Sequence, residues 1–222
     1  MSQFRQNERP MMPEAPVPQY TRNPPLSLED LHPDPLQQLL QWIAAAREIG
    51  MIEPTAMTLA TATADGAPSA RVVLFKGLHE GALCFYTHYR GRKARELDTN
   101  PRAAATFWWD RLERQVRVEG RVAKLPREVS AAYFASRPRA SQLSAHASRQ
   151  SAVVADRATL DARLAETERR YQGQPVPLPE DWGGYGLTPT VVEFWQGRGG
   201  RFHDRLRYRG AAGGWQIDRL EP

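Results

Sequence analysis

The chain has 222 residues, 41% of them hydrophobic, and carries 30 Lys plus Arg against 25 Asp plus Glu for a formal net charge of +5. That length builds one large core, the lone Cys84 excludes an internal disulfide framework and a cysteine metal cluster, and no run approaches the ~18 apolar residues of a membrane-spanning helix. The cations are mostly Arg, whose forked guanidinium matches phosphate or carboxylate, so an anionic partner is expected. With no basic-then-apolar leader at the start, a cytoplasmic location is expected as well.

Residues 1–33 are proline-rich and poor in core-forming side chains, which predicts a mobile arm ahead of one domain over 34–222. Asp34 and Pro35 are helix-start signals, followed by Leu36, Leu39, Leu40 and Ile43 at helical spacing and closed by Gly50. AMTLATAT, SARVVLFK and ALCFYT are β-rich runs separated by ADG and HEG turns, the pattern of consecutive antiparallel strands. GRKARELDTN is a short helix ended by Pro101, and RAAATFWW and RQVRVEGRVAKL are two further strands. PREVSAAYFASR is a helix stopped by Pro138, and a second helix covers about residues 156–172. After the stiff GQPVPLPEDWGG connection, TVVEFWQG, RFHDRLRYR and WQIDRLE return to strand character. The whole predicts a mainly β fold with inserted helices, its strands forming a closed or nearly closed antiparallel barrel.

Basic residues arrive in sets. In RVVLFK, Arg71 and Lys76 fall on opposite faces of a regular strand and so address different groups. GRKA puts Arg92 and Lys93 at the opening turn of a helix, where unpaired amides favour a phosphate; a solvated, charged helix start fits those two residues equally well. Tyr133 and Arg137 share a helix face four residues apart, with Ser141 just past the proline break, which reads either as a second small-anion pocket or as an arginine capping its own helix. Read as a strand, RFHDR aligns Arg201, His203 and Arg205 on one face, and a titratable group between two guanidiniums marks a site. Two phosphate-sized cradles beside that face imply two phosphorylated small molecules, one of them a cofactor. The histidines show no paired ligand spacing, so no metal site is expected.

RVVLFK, FYT, GRKA, LERQVRVEG, SRPRASQ, RQS, EFWQG, RFHDR and WQIDRLEP occur in this order from about Asp34 to Pro222. Together they resemble the pyridoxamine 5′-phosphate oxidase family. The resemblance implies an FMN-binding split antiparallel β-barrel, working as a homodimer with FMN where the subunits meet. By motif, it implies FMN contacts from Arg71, Val72, Val73, Leu74, Phe75, Lys76, Tyr86, Thr87, Arg92, Lys93, Gln115, Gln150, Ser151, Trp195 and Arg205. It implies that Lys76, Tyr133, Arg137 and Ser141 hold the substrate phosphate, while Arg201 and His203 lie against the pyridine ring and its reacting carbon as catalytic groups. The chain departs from the family at Gly91, often Ser there, and at Phe202, usually Leu, and the arm resembles the family's lid only around Tyr20.

The implied reaction removes a hydride from C4′ of pyridoxamine or pyridoxine 5′-phosphate to flavin N5, with O2 reoxidising the flavin to give H2O2 and pyridoxal 5′-phosphate as the product. A flavin reductase-like split-barrel protein would keep Arg71, Arg92 and Lys93 but has no need of Tyr133, Arg137, Ser141, Arg201 and His203 together. A nucleic-acid binder fits the basic balance, but these cations interleave with acids and gather in sets instead of forming a long stripe.

Overall fold

The computed structural model describes residues 20–222; the first nineteen residues of the expected arm lie outside the described residues. Residues 20–33 run along the body, burying Leu26 and Leu31 in its core. They are tied down by hydrogen bonds from Arg22 N to Glu113 Oε2 (3.1 Å) and from Leu26 N to Asp204 Oδ2 (3.1 Å).

Helix α1 (Pro35–Glu48) starts as its sequence predicts, with the Asp34 carboxylate accepting from Leu36 N at 2.8 Å. Its buried face, Leu36, Leu39, Trp42 and Ile43, recurs at helical spacing and packs on the sheet, Trp42 meeting Phe194 edge-on at 5.0 Å. Each such side chain contributes roughly 1.5–3 kcal/mol by leaving water.

The strands are β1 (Ala56–Ala62), β2 (Pro68–Leu74), β3 (Leu78–His79), β4 (Ala82–His88), β5 (Arg102–Trp109), β6 (Arg114–Lys124), β7 (Trp182–Gln196), β8 (Asp204–Ala211) and β9 (Gly214–Arg219). They form one antiparallel sheet ordered β2-β1-β5-β6-β7-β4-β3, with β8 and β9 added beside β7. The path turns back on itself. Past the end of β2, Lys76 N donates to Cys84 O and Cys84 N to Gly77 O, both at 2.9 Å, so the chain leaving β2 lies against β4. This unclosed barrel with inserted helices is the split-barrel architecture expected.

Side chains alternate as a half-buried sheet requires: Ala103, Ala105, Phe107 and Trp109 of β5 and Val116 and Val118 of β6 point into the core. Helix α2 (Arg92–Thr99) follows β4; α3 (Arg127–Ser136), α4 (Arg139–Ala147) and α5 (Arg157–Arg170) lie between β6 and β7. A second apolar cluster, centred on Phe134, Leu143 and Trp182, joins the inserted helices to the start of β7. No described helix is long and apolar enough to cross a membrane.

Four details differ from the sequence reading. Strand β7 begins at Trp182, inside the GQPVPLPEDWGG expected as a connection, and runs on to Gln196 because it pairs with β4 as well as β6. Helix α4 was not anticipated: Pro138 ends α3 but also occupies the cap position of a new helix, where its missing N–H costs nothing. The strand in RVVLFK stops at Leu74, so Arg71 and Lys76 are not two faces of one regular strand. RFHDR is likewise no continuous strand. A turn over Gly199–Arg201, with φ 66° at Gly200 and 62° at Arg201, carries the chain to β8, which begins only at Asp204. Left-handed backbone at two successive residues breaks the twofold alternation, so Arg201, His203 and Arg205 do not share a strand face.

Candidate active site

The first cluster forms where β4 runs into α2. Gly91 caps α2 without a side chain, and a Cβ there would press on Gln150 Oε1 at 2.5 Å. The hydroxyl comes instead from Ser151, which accepts from Arg92 N at 3.2 Å. Lys93 is buried, and its amine donates to Thr87 Oγ1 (3.0 Å) and Gln150 Oε1 (2.8 Å). Burial, then the nearby Arg71 charge, pulls the Lys93 pKa down. Arg71 reaches in from β2, donating to Leu59 O at 3.3 Å and to the hydroxyls of Thr61 and Ser69. Beneath these cations lies Glu96, buried and accepting from Thr61 and Ser69 hydroxyls, Arg92 Nε (2.8 Å) and Arg71 NH2 (3.4 Å). Burial alone would raise its pKa; the hydrogen bonds from Thr61, Ser69 and Arg92 and the charge of Arg71 outweigh burial and hold it at about 2. Three cations against one carboxylate, beside a helix start, leave a cradle with the charge and the donors for a phosphate.

On the other face of β4, Tyr86 stacks on Tyr133 at 3.8 Å, and both lie parallel to Trp182. The Arg137 guanidinium sits 4.6 Å from the Trp182 ring centre. Its NH1 is buried with no hydrogen-bond partner. A buried donor left open in a native site is costly unless something fills it, and an anion is the natural acceptor. Ser141 stands half-buried in the first turn of α4, while Lys76 is exposed just past β2.

The remaining expected residues gather at the far end of β7. Trp195 has ring neighbours in His203 (4.6 Å), Tyr20 (5.6 Å) and Trp108 (5.9 Å), and Gln115 lies opposite it in the β6–β7 pair. His203 Nδ1 accepts from Arg198 N at 3.1 Å; burial, then Arg201, lowers its pKa. Arg201 is exposed, whereas Arg205 grips buried Glu193 through two nitrogens at 2.8 and 3.2 Å.

The structure thus brings Arg71, Thr87, Arg92, Lys93, Gln150 and Ser151 together, and separately Gln115, Trp195, His203 and Arg205. It does not join the two groups within one chain. Thr87 pairs with Gly183, twelve residues before Trp195 on the same strand, roughly 35–40 Å along it at about 3.3 Å per residue. Of the RVVLFK positions between Arg71 and Lys76, Phe75 is a core residue, Val73 and Leu74 are half-buried and Val72 is 66% exposed. Sequence reasoning passed over Glu96 and Trp182. Glu96 had a signal in its four-residue offset from Arg92, a helical ion-pair spacing; Trp182 had none, because its partners come from α3 and β4.

A family model described as pyridoxamine 5′-phosphate oxidase matches residues 43–171, and one described as the pyridoxine 5′-phosphate oxidase C-terminal dimerisation region matches residues 182–222. A pyridoxine/pyridoxamine 5′-phosphate oxidase of Rubrobacter xylanophilus is 53% identical over 204 residues, covering 92% of this chain and 94% of the relative. One from Pseudomonas paraeruginosa is 50% identical over 206 residues, covering 92% and 95%. Among solved structures, PhzG from Burkholderia lata, in complex with tetrahydrophenazine-1-carboxylic acid, superposes with TM-score 0.82 at 32% identity over 87% of this chain and 95% of that one. A pyridoxamine 5′-phosphate oxidase-related, FMN-binding protein of Nostoc punctiforme shares the fold, at TM-score 0.69 and 17% identity over 89% of this chain and 100% of that one. With both models matched across most of its length, the chain belongs to the pyridoxamine 5′-phosphate oxidase family of enzymes.

Proposed function

We propose that the protein oxidises pyridoxamine 5′-phosphate or pyridoxine 5′-phosphate to pyridoxal 5′-phosphate, with FMN as cofactor and O2 as electron acceptor. The observation that carries this reading is the pairing of two anion sites of different construction on either side of β4. The cradle of Arg71, Arg92, Lys93, Thr87, Gln150 and Ser151 suits the flavin phosphate; the open Arg137 guanidinium, with Tyr133, Ser141 and Lys76, suits the phosphate of the substrate. When bound, FMN supplies a two-electron acceptor for the C4′ hydride, and O2 leaves as H2O2. The amine substrate consumes one water and releases ammonia; the alcohol gives the aldehyde directly.

The chain's own residues orient the reactants. Arg137 anchors the far end of the substrate, which restricts where C4′ can lie. Arg201, exposed and cationic, holds the substrate's pyridine ring in place for hydride loss, and His203, its pKa lowered, is a neutral hydrogen-bonding group at neutral pH. Trp195 and Gln115, cross-strand partners, would line the flavin. Because these groups lie at the far end of β7 from the two anion sites, each complete site takes its cradle from one subunit and its Trp195–His203 end from the other, and the working unit is a homodimer. The matched dimerisation region, residues 182–222, contains β7, β8 and β9.

Titrating the purified protein with FMN and following aldehyde and H2O2 formation from each phosphorylated substrate tests the proposal; equal molar yields of aldehyde and H2O2 are expected. FMN binding without turnover of either substrate would refute it. The likeness to PhzG makes a carboxylate-bearing reduced tricycle the comparison substrate. The separate Arg137 guanidinium, its NH1 buried and unpaired, favours the phosphate ester.

A further inference from the structure

Three of the arginines at the sites are held by acids: Arg71 and Arg92 by Glu96 and Arg205 by Glu193. Arg137 is built differently. Among the described residues it forms no ion pair; its guanidinium is held by aromatic rings, 4.6 Å from the centre of Trp182 and 5.6 Å from that of Phe134. Trp182 is 4% exposed and is itself fixed on several sides: Tyr86 and Tyr133 lie parallel to it at 5.7 and 6.3 Å, Phe134 meets it edge-on at 5.1 Å, and Arg127 NH1 donates to its carbonyl at 2.8 Å. The indole is thus a fixed face over which the guanidinium carbon lies.

The choice of support has a chemical consequence. A carboxylate behind an arginine takes up donor N–H groups and cancels charge, so it competes with an incoming anion. An aromatic face attracts the cation through its quadrupole, accepts no in-plane N–H and leaves the charge uncancelled. Arg137 matches the second case, with NH1 buried and unpaired beside Tyr133.

Building on the function proposed above, we infer that Trp182 is a positioning residue for substrate selection: its ring face sets the orientation of Arg137 so that the open guanidinium edge receives the phosphate of the pyridine substrate. Among the described residues its ring meets Tyr86, Tyr133, Phe134 and Arg137 and neither Lys93 nor the Trp195–His203 rings, so its role falls on substrate affinity and not on the chemical step.

The test uses FMN-loaded Trp182→Leu, Trp182→Phe and Arg137→Ala enzymes, measuring steady-state oxidation of pyridoxine 5′-phosphate, competitive inhibition by inorganic phosphate, and FMN affinity. Trp182→Leu is expected to raise KM and the phosphate Ki together, by about 10-fold, with kcat and FMN affinity unchanged; Trp182→Phe, which keeps a weaker ring face, should shift both by about 3-fold. Arg137→Ala should raise KM further still. Unchanged KM in Trp182→Leu, or a loss of kcat and FMN affinity without a rise in the phosphate Ki, overturns the positioning role. If Trp182→Leu does not fold, Trp182→Phe with KM and Ki at the parent's values overturns it alone. Unchanged KM in Arg137→Ala refutes the substrate pocket itself and the positioning role with it, a result separable from failure at Trp182 alone.

Discussion

The two ends of β7 are built on opposite principles. At the Thr87–Lys93 end, nearly every polar group is wired to another within the same chain: Lys93 to Thr87 and Gln150, Arg92 to Ser151 and Glu96, Arg71 to Thr61, Ser69 and Glu96. At the Trp195–His203 end Arg205 is likewise held by Glu193 and His203 by Arg198 N, but beside them the chain presents rings and an exposed Arg201 on a glycine-bearing turn, with Trp108 45% exposed. The first end is preorganised for an anion, since its cations already face one place and little rotamer freedom remains to be lost. The second is a surface awaiting a complement. A site that joins them across a two-fold axis gets a rigid anchor from one subunit and an adaptable reacting face from the other.

The strongest way to break this comparison is to remove the anchor. Arg92→Ala with Lys93→Ala deletes two charge-assisted interactions of about 1.5–3 kcal/mol each, so FMN affinity should fall by at least about 10²-fold, as read by flavin fluorescence titration. An unchanged dissociation constant would show that the flavin phosphate binds elsewhere. At the other end, Arg201→Ala should keep FMN and lower kcat/KM for pyridoxine 5′-phosphate by about 10²-fold, as for loss of a contact that positions the reacting ring. The two variants together test whether the ends meet across subunits. Each is nearly inactive alone, but random exchange of their subunits should restore about a quarter of the sites, because one site of each mixed dimer receives both intact ends. No recovery after demonstrated subunit exchange would place both ends of each site in one chain.

The same contrast explains what could be read from the sequence. The helix start at Arg92 and Lys93 was legible because its logic is local, as were α1 and the hairpin strands by spacing and turn residues. Gln150 and Ser151, 57 to 63 residues from Lys93, Arg92 and Thr87, came only from the family resemblance. The Arg201–His203 stretch was read as one strand face, and the structure gives it a different geometry. Alternation assumes a regular strand, and the left-handed backbone at Gly200 and Arg201 cannot be seen in a pattern of side-chain types. Pro138 was read as a stop when it also starts α4, a double role set by its place between two helices. Trp182 and Glu96 owe their roles to long-range partners. The Thr61 and Ser69 hydroxyls that fix Glu96 lie 35 and 27 residues away, a distance that no local window spans.

Glu96 gives the subtlest probe of the anchored end. Its carboxyl pKa is held at about 2 in the folded protein, below the 4.5 of an unperturbed glutamate. A depressed acid stabilises the fold above its unfolded pKa, and that contribution is lost as pH falls from about 4.5 toward 2. In Glu96→Gln the amide still accepts hydrogen bonds, but it brings a donor where Thr61, Ser69, Arg71 and Arg92 all donate and carries no charge to answer the cations. Urea denaturation of the cofactor-free protein should therefore show Glu96→Gln less stable than the parent by about 2 kcal/mol at pH 7, with the gap closing as pH falls below about 4. Arg201→Ala, with its side chain exposed at the adaptable end, should track the parent at every pH. If the gap between Glu96→Gln and the parent is absent at pH 7, or is the same at pH 3 as at pH 7, the buried carboxylate is not the charge around which the cradle is organised.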